Sequence, residues 1–306
     1  MSTFSESVKE ELCHNNYDLA SQKAIVFGFI ANKLKIVLTN NKQEWYLESN
    51  FNFIIRFIGH CLKHVFKIDG HYAYSDINSF SKRRTFRLTI TDWKFVNVLE
   101  EMDFYLNSYL IKKGCENDKK SFLIGAFLGS GSIAEPNKPI YHLEIRSHQN
   151  TYLRLIQTIM SEFNLSPAIL QRKYISIIYL KKAIAISDFL KVVGATNNML
   201  NLEDIIIARD FSNQTNRLNN LDISNLNKTV ESGYKQVEMI KKVMNNYKNS
   251  KQITNKFRVF CEIRTLYPSK SLNELVNEFA TRKIKITKSG INHLVIKLKE
   301  LYSQIN

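Results

Sequence analysis

The first 200 residues contain the same order of predicted elements twice, and this duplication constrains the fold more than any other feature. An apolar helical segment over 19–32 is followed by two short β-type runs, a helix, two more β-type runs and a helix over 92–102. The same order runs from a second apolar helix over 119–129 to a helix over 182–193. The apolar periods of helices and strands distinguish the segments. The pattern predicts an α+β fold with two pseudo-symmetric αββαββα halves.

The leading helix of each half carries a glycine at the matching place, since Gly28 and Gly125 are 97 residues apart. The second of these helices lies in the stretch SFLIGAFLGSGSI, which also contains Gly129 and Gly131. Glycine lets two backbones approach closely. We interpret these glycines as packing residues at the axis between the halves, and we expect the second helix to end in a tight turn.

The composition divides the chain into four regions. The predicted halves cover residues 1–105 and 115–208. Residues 209–227 are polar and rich in Asn, and we interpret them as a linker. Residues 228–306 have helical periodicity throughout, which predicts an all-α C-terminal domain.

The last fifty residues have the plan of a helix-turn-helix, placed at about 270–303. Ser271 and Glu274 form a capping box that opens a short amphipathic helix. A basic connector over 281–287 leads to a longer helix that begins near Lys288 and has a polar face. This arrangement is typical of DNA-reading helix pairs, although a helical bundle without a ligand has the same pattern.

The charge favours a polyanionic partner. The formal net charge is +15, and residues 213–306 hold 17 basic against 7 acidic residues, a net of +10. Such a surface attracts nucleic acid or an acidic membrane surface, while the alternative is a well-solvated soluble surface. We expect contacts to DNA phosphates from Arg282, Lys283, Lys285 and Thr287. We expect contacts in the groove from Lys288, Ser289, Asn292, His293 and Lys297.

Other classes of protein are disfavoured. The four cysteines are scattered without a CxxC pair, so that neither a disulfide framework nor a cysteine zinc site is expected. No run of 18 apolar residues is present, which argues against a membrane span. No metal or other cofactor is predicted, and a cytoplasmic location fits the composition.

Three sets of segments resemble the WhiA family of Gram-positive bacteria and mollicutes. They are FSESVKEEL at the N-terminus, KKSFLIGAFLGSGSI with YHLEI in the centre, and NLNKTVESGYKQVEMI with KSGINHLVIKL near the C-terminus. The resemblance implies a LAGLIDADG homing-endonuclease-like scaffold of two halves, tethered to a C-terminal helix-turn-helix. It implies a nucleoid-associated DNA-binding regulator involved in transcription, sporulation, cell division or chromosome segregation.

The resemblance also implies the loss of cleavage. In active LAGLIDADG nucleases the eighth motif residue is an acid that binds the metal. Aligning the motif on Val26–Leu34 and on Leu123–Gly131 places Lys33 and Ser130 there. Neither side chain supplies the carboxylate oxygens that Mg²⁺ requires, so we assign no catalytic residue.

Members of the family usually carry arginine just after the Asn-His pair of the recognition helix. Here Leu294, Val295 and Ile296 follow, with Lys297 next. The expected partners are double-stranded DNA and possible transcription or division proteins, with a monomer expected in solution. Two alternatives are a scaffold that recruits division or transcription proteins and a metal-dependent nuclease.

Overall fold

The computed structural model describes residues 2–39, 42–75, 84–247 and 253–305. The chain forms two compact units, Met1–Arg209 and Asp210–Asn306. The first contains the duplicated region, and the second contains the predicted helix-turn-helix.

The first unit has the predicted order of elements in both halves. After α1 (Phe4–His14), the first half contains α2 (Leu19–Lys33), β1 (Lys35–Thr39), β2 (Lys42–Ser49), α3 (Asn52–Phe66), β3 (His71–Ser75), β4 (Thr85–Ile90) and α4 (Phe95–Phe104), which a π-helical turn (Tyr105–Tyr109) extends. The second half contains α5 (Glu116–Ser130), β5 (Gly131–Ile133), β6 (Leu143–Ser147), α6 (Asn150–Glu162), β7 (Ala168–Leu170), β8 (Ser176–Leu180) and α7 (Ala183–Val193). The αββαββα prediction is therefore confirmed.

The two sheets have the same topology. Their strand orders are β1-β2-β4-β3 and β5-β6-β8-β7, and every neighbouring pair is antiparallel. Trp45 pairs with Ile90 in the first sheet, and Ile145 pairs with Ile178 in the second. All four side chains are buried. The register therefore places one face of each sheet against the core.

Helices α2 and α5 form the centre of the unit. Residues 24–30 of α2 and 121–128 of α5 are buried without interruption. A helix that is apolar around its whole circumference lies inside a fold. Buried residues from both halves belong to one continuous core, so the halves pack as a single unit around this helix pair.

The predicted tight turn after α5 is wrong. The helix continues through Ser130, and Gly131 has the extended conformation of a strand (φ −72°, ψ 149°). Gly131 then pairs with Ile145 in β5. A side chain at Gly131 would overlap the ring and carbonyl oxygen of Phe127. Close packing against the preceding helical turn therefore explains this glycine, and a turn conformation does not.

Helix α8 (Thr196–Tyr247) includes the residues interpreted as a linker. Residues 209–227 are thus helical, and the boundary between the compact units falls within α8. The stretch 196–232 has no Gly or Pro, and each Asn lowers helix stability by less than about 0.7 kcal/mol. High Asn content alone therefore does not interrupt a helix.

Helix α1 is fastened to the beginning of α8. The Glu11 carboxylate accepts hydrogen bonds from the backbone N–H groups of Asn197 and Asn198, at 2.8 and 3.1 Å. A carboxylate at a helix N-terminus satisfies otherwise unpaired N–H groups and the helix dipole. This contact anchors the N-terminal segment to the first unit.

The second unit packs the C-terminal part of α8 with α9 (Asn255–Leu266), α10 (Leu272–Thr281) and α11 (Lys288–Ser303). The large side chains of its core are Phe257, Phe260 and Phe279, which are fully buried. Gly233 of α8 lies against the loop after α9, where an added methyl group would overlap the carbonyl oxygen of Pro268. The buried Arg264 guanidinium donates to the carbonyl oxygen of Lys270 at 2.6 Å and so fixes the same loop.

None of the helices in the described part of the chain has the length and apolar character needed to cross a bilayer.

Candidate nucleic-acid interface and the motif helices

Two side-chain caps define the helix pair of the second unit. The predicted capping box is present at the start of α10, where Ser271 Oγ accepts from the Glu274 N–H and the Glu274 carboxylate accepts from the Ser271 N–H. Thr287 caps α11, since its Oγ1 accepts from the Gly290 N–H at 3.2 Å. The hydroxyl hydrogen of Thr287 remains able to donate to a phosphate.

The connector begins with a left-handed residue. Lys283 has φ +59°, and the following Ile284 N–H donates to the Phe279 carbonyl oxygen at 3.1 Å. This is the closure of a Schellman motif, in which glycine is the usual residue at the left-handed position. Lys283 is exposed, so this position presents a cation in the connector where glycine would present none.

The polar face of α11 is exposed as predicted from its periodicity. Ile291, Val295 and Leu298 are buried on the opposite face. The exposed set lies in the first two turns and comprises Lys288, Ser289, Asn292 and His293. Ile296, on the same face, is 43% exposed. The structure therefore brings four of the predicted groove residues together on one accessible surface.

Two other predicted residues have partners inside the unit. The Arg282 guanidinium donates to the Glu262 carboxylate at 2.8 Å. Lys297 is half-buried, and its ammonium group lies 5.6 Å from the ring centre of Phe257. Both side chains would have to give up these contacts to reach DNA, so they are weaker candidates than Lys283 and Lys285, which are exposed.

Lys299 was missed by the sequence reasoning. It is exposed, and at 100° per residue it lies within about 20° of Lys288 around the helix. The same periodicity that identified Asn292 would have found it. It therefore lies on the same side of α11 as Lys288, about three turns farther along the helix.

In the first unit, the glycines of the motif helices bring α2 and α5 into backbone contact. A methyl group on Gly28 would overlap the carbonyl oxygen of Phe122, and one on Gly125 would overlap that of Ile25. The two contacts are related by the pseudo-symmetry of the halves. The packing role that we predicted for Gly28 and Gly125 is confirmed by this geometry.

Ser130 and Lys33, the two positions aligned with the acidic residue of the LAGLIDADG motif, have different surroundings. Ser130 Oγ accepts a hydrogen bond from Asn32 Nδ2 at 2.6 Å, and the same amide donates to the Arg146 carbonyl oxygen at 2.8 Å. The Arg146 guanidinium is itself paired with the Glu144 carboxylate. The Ser130 hydroxyl is therefore already hydrogen-bonded within the protein.

The Lys33 position is open to a cavity of about 290 Å³. Its charged lining residues are Lys9, Lys33, Lys35 and Glu48. Burial, and then the charge of Lys35, lower the pKa of Lys33 against the opposing effect of Glu48. The Glu48 carboxylate is held by Lys35 and Arg87, both at 2.7 Å. Burial raises its pKa, but the hydrogen bonds and charges of these two partners outweigh burial, so that its pKa lies below the ordinary value.

This cavity is unlike a metal site. Within the described ranges, no group of three or more His, Cys, Asp or Glu side chains is arranged to hold a metal ion. Carboxylate and carbonyl oxygens are the ligands that Mg²⁺ prefers, whereas three of the four charged groups here are cations. The chemistry of the lining favours an anion.

Two regions of the chain match models of known protein families. Residues 119–212 match the family model of the WhiA LAGLIDADG-like domain, and residues 215–302 match that of the WhiA C-terminal HTH domain. The protein named "Probable cell division protein WhiA" from Clostridium tetani (strain Massachusetts / E88) is 30% identical over 320 residues, which cover 99% of this chain and 98% of that protein. The chain belongs to the WhiA family.

Further relatives agree with this assignment. The protein of the same name from Clostridium beijerinckii is 28% identical over 99% of this chain and 98% of its own length. The crystal structure of full-length WhiA from Thermotoga maritima superposes with a TM-score of 0.59 at 21% identity, covering 99% and 98% of the two chains. Its isolated N-terminal LAGLIDADG domain gives 0.52 at 20% identity, covering 63% of this chain and 91% of that domain. The α+β fold with a helix-turn-helix region is thus that of WhiA.

Proposed function

We propose that this WhiA-family protein binds double-stranded DNA through α10 and α11 and acts as a regulator without cleavage activity. The observation that supports DNA binding is the exposed polar face at the start of α11, formed by Lys288, Ser289, Asn292 and His293. Asn side chains can pair with adenine edges, and lysines can contact guanine or phosphate. Lys283, Lys285 and Thr287 precede this face, and we expect them to contact the DNA backbone, which fixes register.

The test is fluorescence anisotropy of the full-length chain titrated onto labelled AT-rich duplex over a salt series. With contacts from about four lysines, log Kd should change with log salt by a slope of about 3 to 4. Lys288→Ala should weaken binding and reduce this slope by about one. Lys241→Ala is the matched control, since Lys241 is exposed on α8. Equal effects of the two substitutions would contradict the assignment.

Base reading is tested separately on a sequence selected from random duplex. Asn292→Ala and His293→Ala should each reduce the preference for that sequence, at about 1–3 kcal/mol per lost base contact, while binding to random duplex changes little. If both variants keep the preference, α11 does not read the bases.

We further propose a role in transcription linked to cell division and chromosome segregation, in the cytoplasm and at the nucleoid. The support is that the relatives from Clostridium carry the name of a probable cell division protein. Deletion of the gene, complemented by wild type or by the double variant N292A/H293A, tests this role. Complementation by the double variant would favour the alternative of a scaffold that recruits division or transcription proteins.

The proposal of no cleavage is supported by the side chains at the motif positions, Lys33 and Ser130. The nearby carboxylate of Glu48 is already shared by two cations. Incubation of purified protein with supercoiled plasmid and Mg²⁺ should leave the plasmid intact. Nicking that co-purifies with the protein and disappears in Glu48→Gln would establish a nuclease.

A further inference from the structure

The cavity beside Lys33 contains a buried cation with no anionic partner. Lys9 of α1 is 7% exposed, and its ammonium group lies 5.6 Å from the ring centre of Phe51 and 5.5 Å from that of Phe127. In the described part of the chain, neither a carboxylate nor a hydrogen-bond acceptor pairs with it. Aromatic faces attract a cation but do not neutralise it. A charge buried in this way is unfavourable until an opposite charge joins it.

The described lining of the cavity also has too few carboxylates to neutralise its other cations. Glu48 is the carboxylate among the described lining residues, and it is paired with Lys35 and with Arg87, which lies outside the lining. Lys33 has no carboxylate within ion-pair distance among the residues that the structure describes. Three ammonium groups and one carboxylate leave a formal charge of +2 at the cavity.

The uncharged lining supplies further donors and a suitable size. Ser49 and Thr85 contribute hydroxyl groups, and Asn50 contributes an amide. The Ser49 oxygen accepts from the Phe51 N–H at 3.2 Å, which leaves its hydroxyl hydrogen able to donate. At about 290 Å³, the cavity is at the small end of ligand sites. It suits a compact anion with several acceptor oxygens and does not suit a large organic molecule.

We propose that this cavity binds a phosphate group, carried either by a small phosphorylated molecule or by the backbone of duplex DNA. The side chains that hold it are Lys9, Lys33 and Lys35, with the hydroxyl groups of Ser49 and Thr85 as further donors. Lysine is a compact point charge and a common ligand of phosphate. The site is separate from the helix-turn-helix and does not depend on DNA binding by α11.

Thermal unfolding of the full-length protein in sodium phosphate, with sodium chloride at equal ionic strength as reference, tests the site. Phosphate at about 100 times its Kd should raise the Tm of the first unit by about 5 °C relative to chloride. Lys9→Met and Lys33→Met should each remove most of this rise. Lys191→Met, which removes an exposed lysine of α7, should retain it. The proposal fails if phosphate and chloride act alike on the wild type, or if K9M keeps the full rise.

A second measurement identifies the source of the phosphate. If the DNA backbone supplies it, K9M should weaken duplex binding by about tenfold and inorganic phosphate should compete with the duplex. If a small molecule supplies it, K9M should lose the phosphate effect while its affinity for duplex stays that of the wild type. N292A/H293A separates this proposal from the proposed function, because the phosphate-dependent rise in Tm should persist in that variant whether or not it binds DNA.

Discussion

Two glycines on α5, one turn apart, test how closely the motif helices pack. At Gly125, an added methyl group would overlap the carbonyl oxygen of Ile25 and lie 2.9 Å from both the Ile25 carbonyl carbon and the Phe29 backbone nitrogen. At Gly129, the nearest atoms would be Lys33 Cγ at 3.4 Å and Phe29 Cδ2 at 3.6 Å, which are ordinary contacts. The methyl group of Gly125→Ala would therefore clash with backbone atoms of α2, whereas that of Gly129→Ala would make ordinary contacts with side chains.

The expected free energies follow from two opposing effects. Alanine is favoured over glycine in a helix interior by about 1 kcal/mol, and by about half of that in the last turn where Gly129 lies. Forcing a methyl group against a fixed backbone costs about 3 kcal/mol, at the upper end of overpacking, because α2 and α5 must separate and lose dispersion contacts along both helices. Gly125→Ala should thus lower stability by about 2 kcal/mol, and Gly129→Ala should raise it by about 0.5 kcal/mol.

Differential scanning calorimetry of the full-length variants measures both effects on the transition of the first unit. For a unit of this size, 1 kcal/mol corresponds to about 2–4 °C in Tm. We expect Tm to fall by about 4–8 °C in G125A and to rise by up to about 2 °C in G129A. By the pseudo-symmetry, G28A should behave like G125A. A Tm for G125A equal to or above that of G129A would show that the two helices are not in backbone contact.

Three other expectations concern charge and close packing. Lys283→Gly should leave the stability of the second unit unchanged or raise it by up to about 1 kcal/mol, because glycine relieves the left-handed strain. The salt slope of DNA binding should fall by about one. A loss of stability in chemical denaturation would refute the first expectation. Burial, and then the charge of Lys33, lower the pKa of Lys9 to about 8, while Cys13 has the opposite effect. The other charged groups that face Lys9 in the cavity are Lys35 and Glu48. Between about pH 8 and 10 the unfolded chain therefore binds more protons at Lys9, so that this group adds stability as the pH rises. At pH 7 the Lys9→Met variant should therefore be more stable than wild type by an amount on the order of 3 kcal/mol. This difference in stability should shrink toward pH 10. A difference that does not change with pH in calorimetry would refute the expectation. Gly233→Ala should lower the Tm of the second unit by several degrees, because its methyl group meets the Pro268 backbone, and an unchanged Tm would show that this loop can move.

The fold could be predicted from the sequence because its strongest signals are local and occur twice. The apolar runs of α2 and α5 and the alternation in β4 are properties of neighbouring residues. The repeated order of elements implies a strand after α5, but its position could not be located because three residues, Gly131–Ile133, carry too little pattern to be recognised. The linker was assigned from its Asn content, but Asn weakens a helix much less than Gly or Pro does.

For the candidate sites too, features set within one helix could be predicted, and features that depend on packing between helices could not. The exposed face of α11 was predictable because it follows from helical geometry within one element. The ion pair of Arg282 with Glu262 and the contact of Lys297 with Phe257 depend on how α9 packs, which a single sequence does not reveal. Lys9 was missed for the same reason, since it reaches the Lys33 cavity from α1.

A lysine at position 33, where the resemblance to LAGLIDADG nucleases implies an acid, is compatible with the fold because the packing of the two motif helices rests on other atoms. Gly28 and Gly125 set the distance between α2 and α5 through backbone contacts, and no carboxylate takes part in those contacts. Lys33 lies in the last turn of α2, where the partial negative charge of the helix terminus stabilises a cation by about 0.3–1 kcal/mol and repels a carboxylate. An acid at this position would need a bound cation to offset that repulsion, whereas the same helix terminus is favourable to a lysine. The last turn of α2 therefore favours a lysine over an acid at this position, although burial still lowers the pKa of Lys33, and the proposed phosphate would offset the remaining cost of the buried charge.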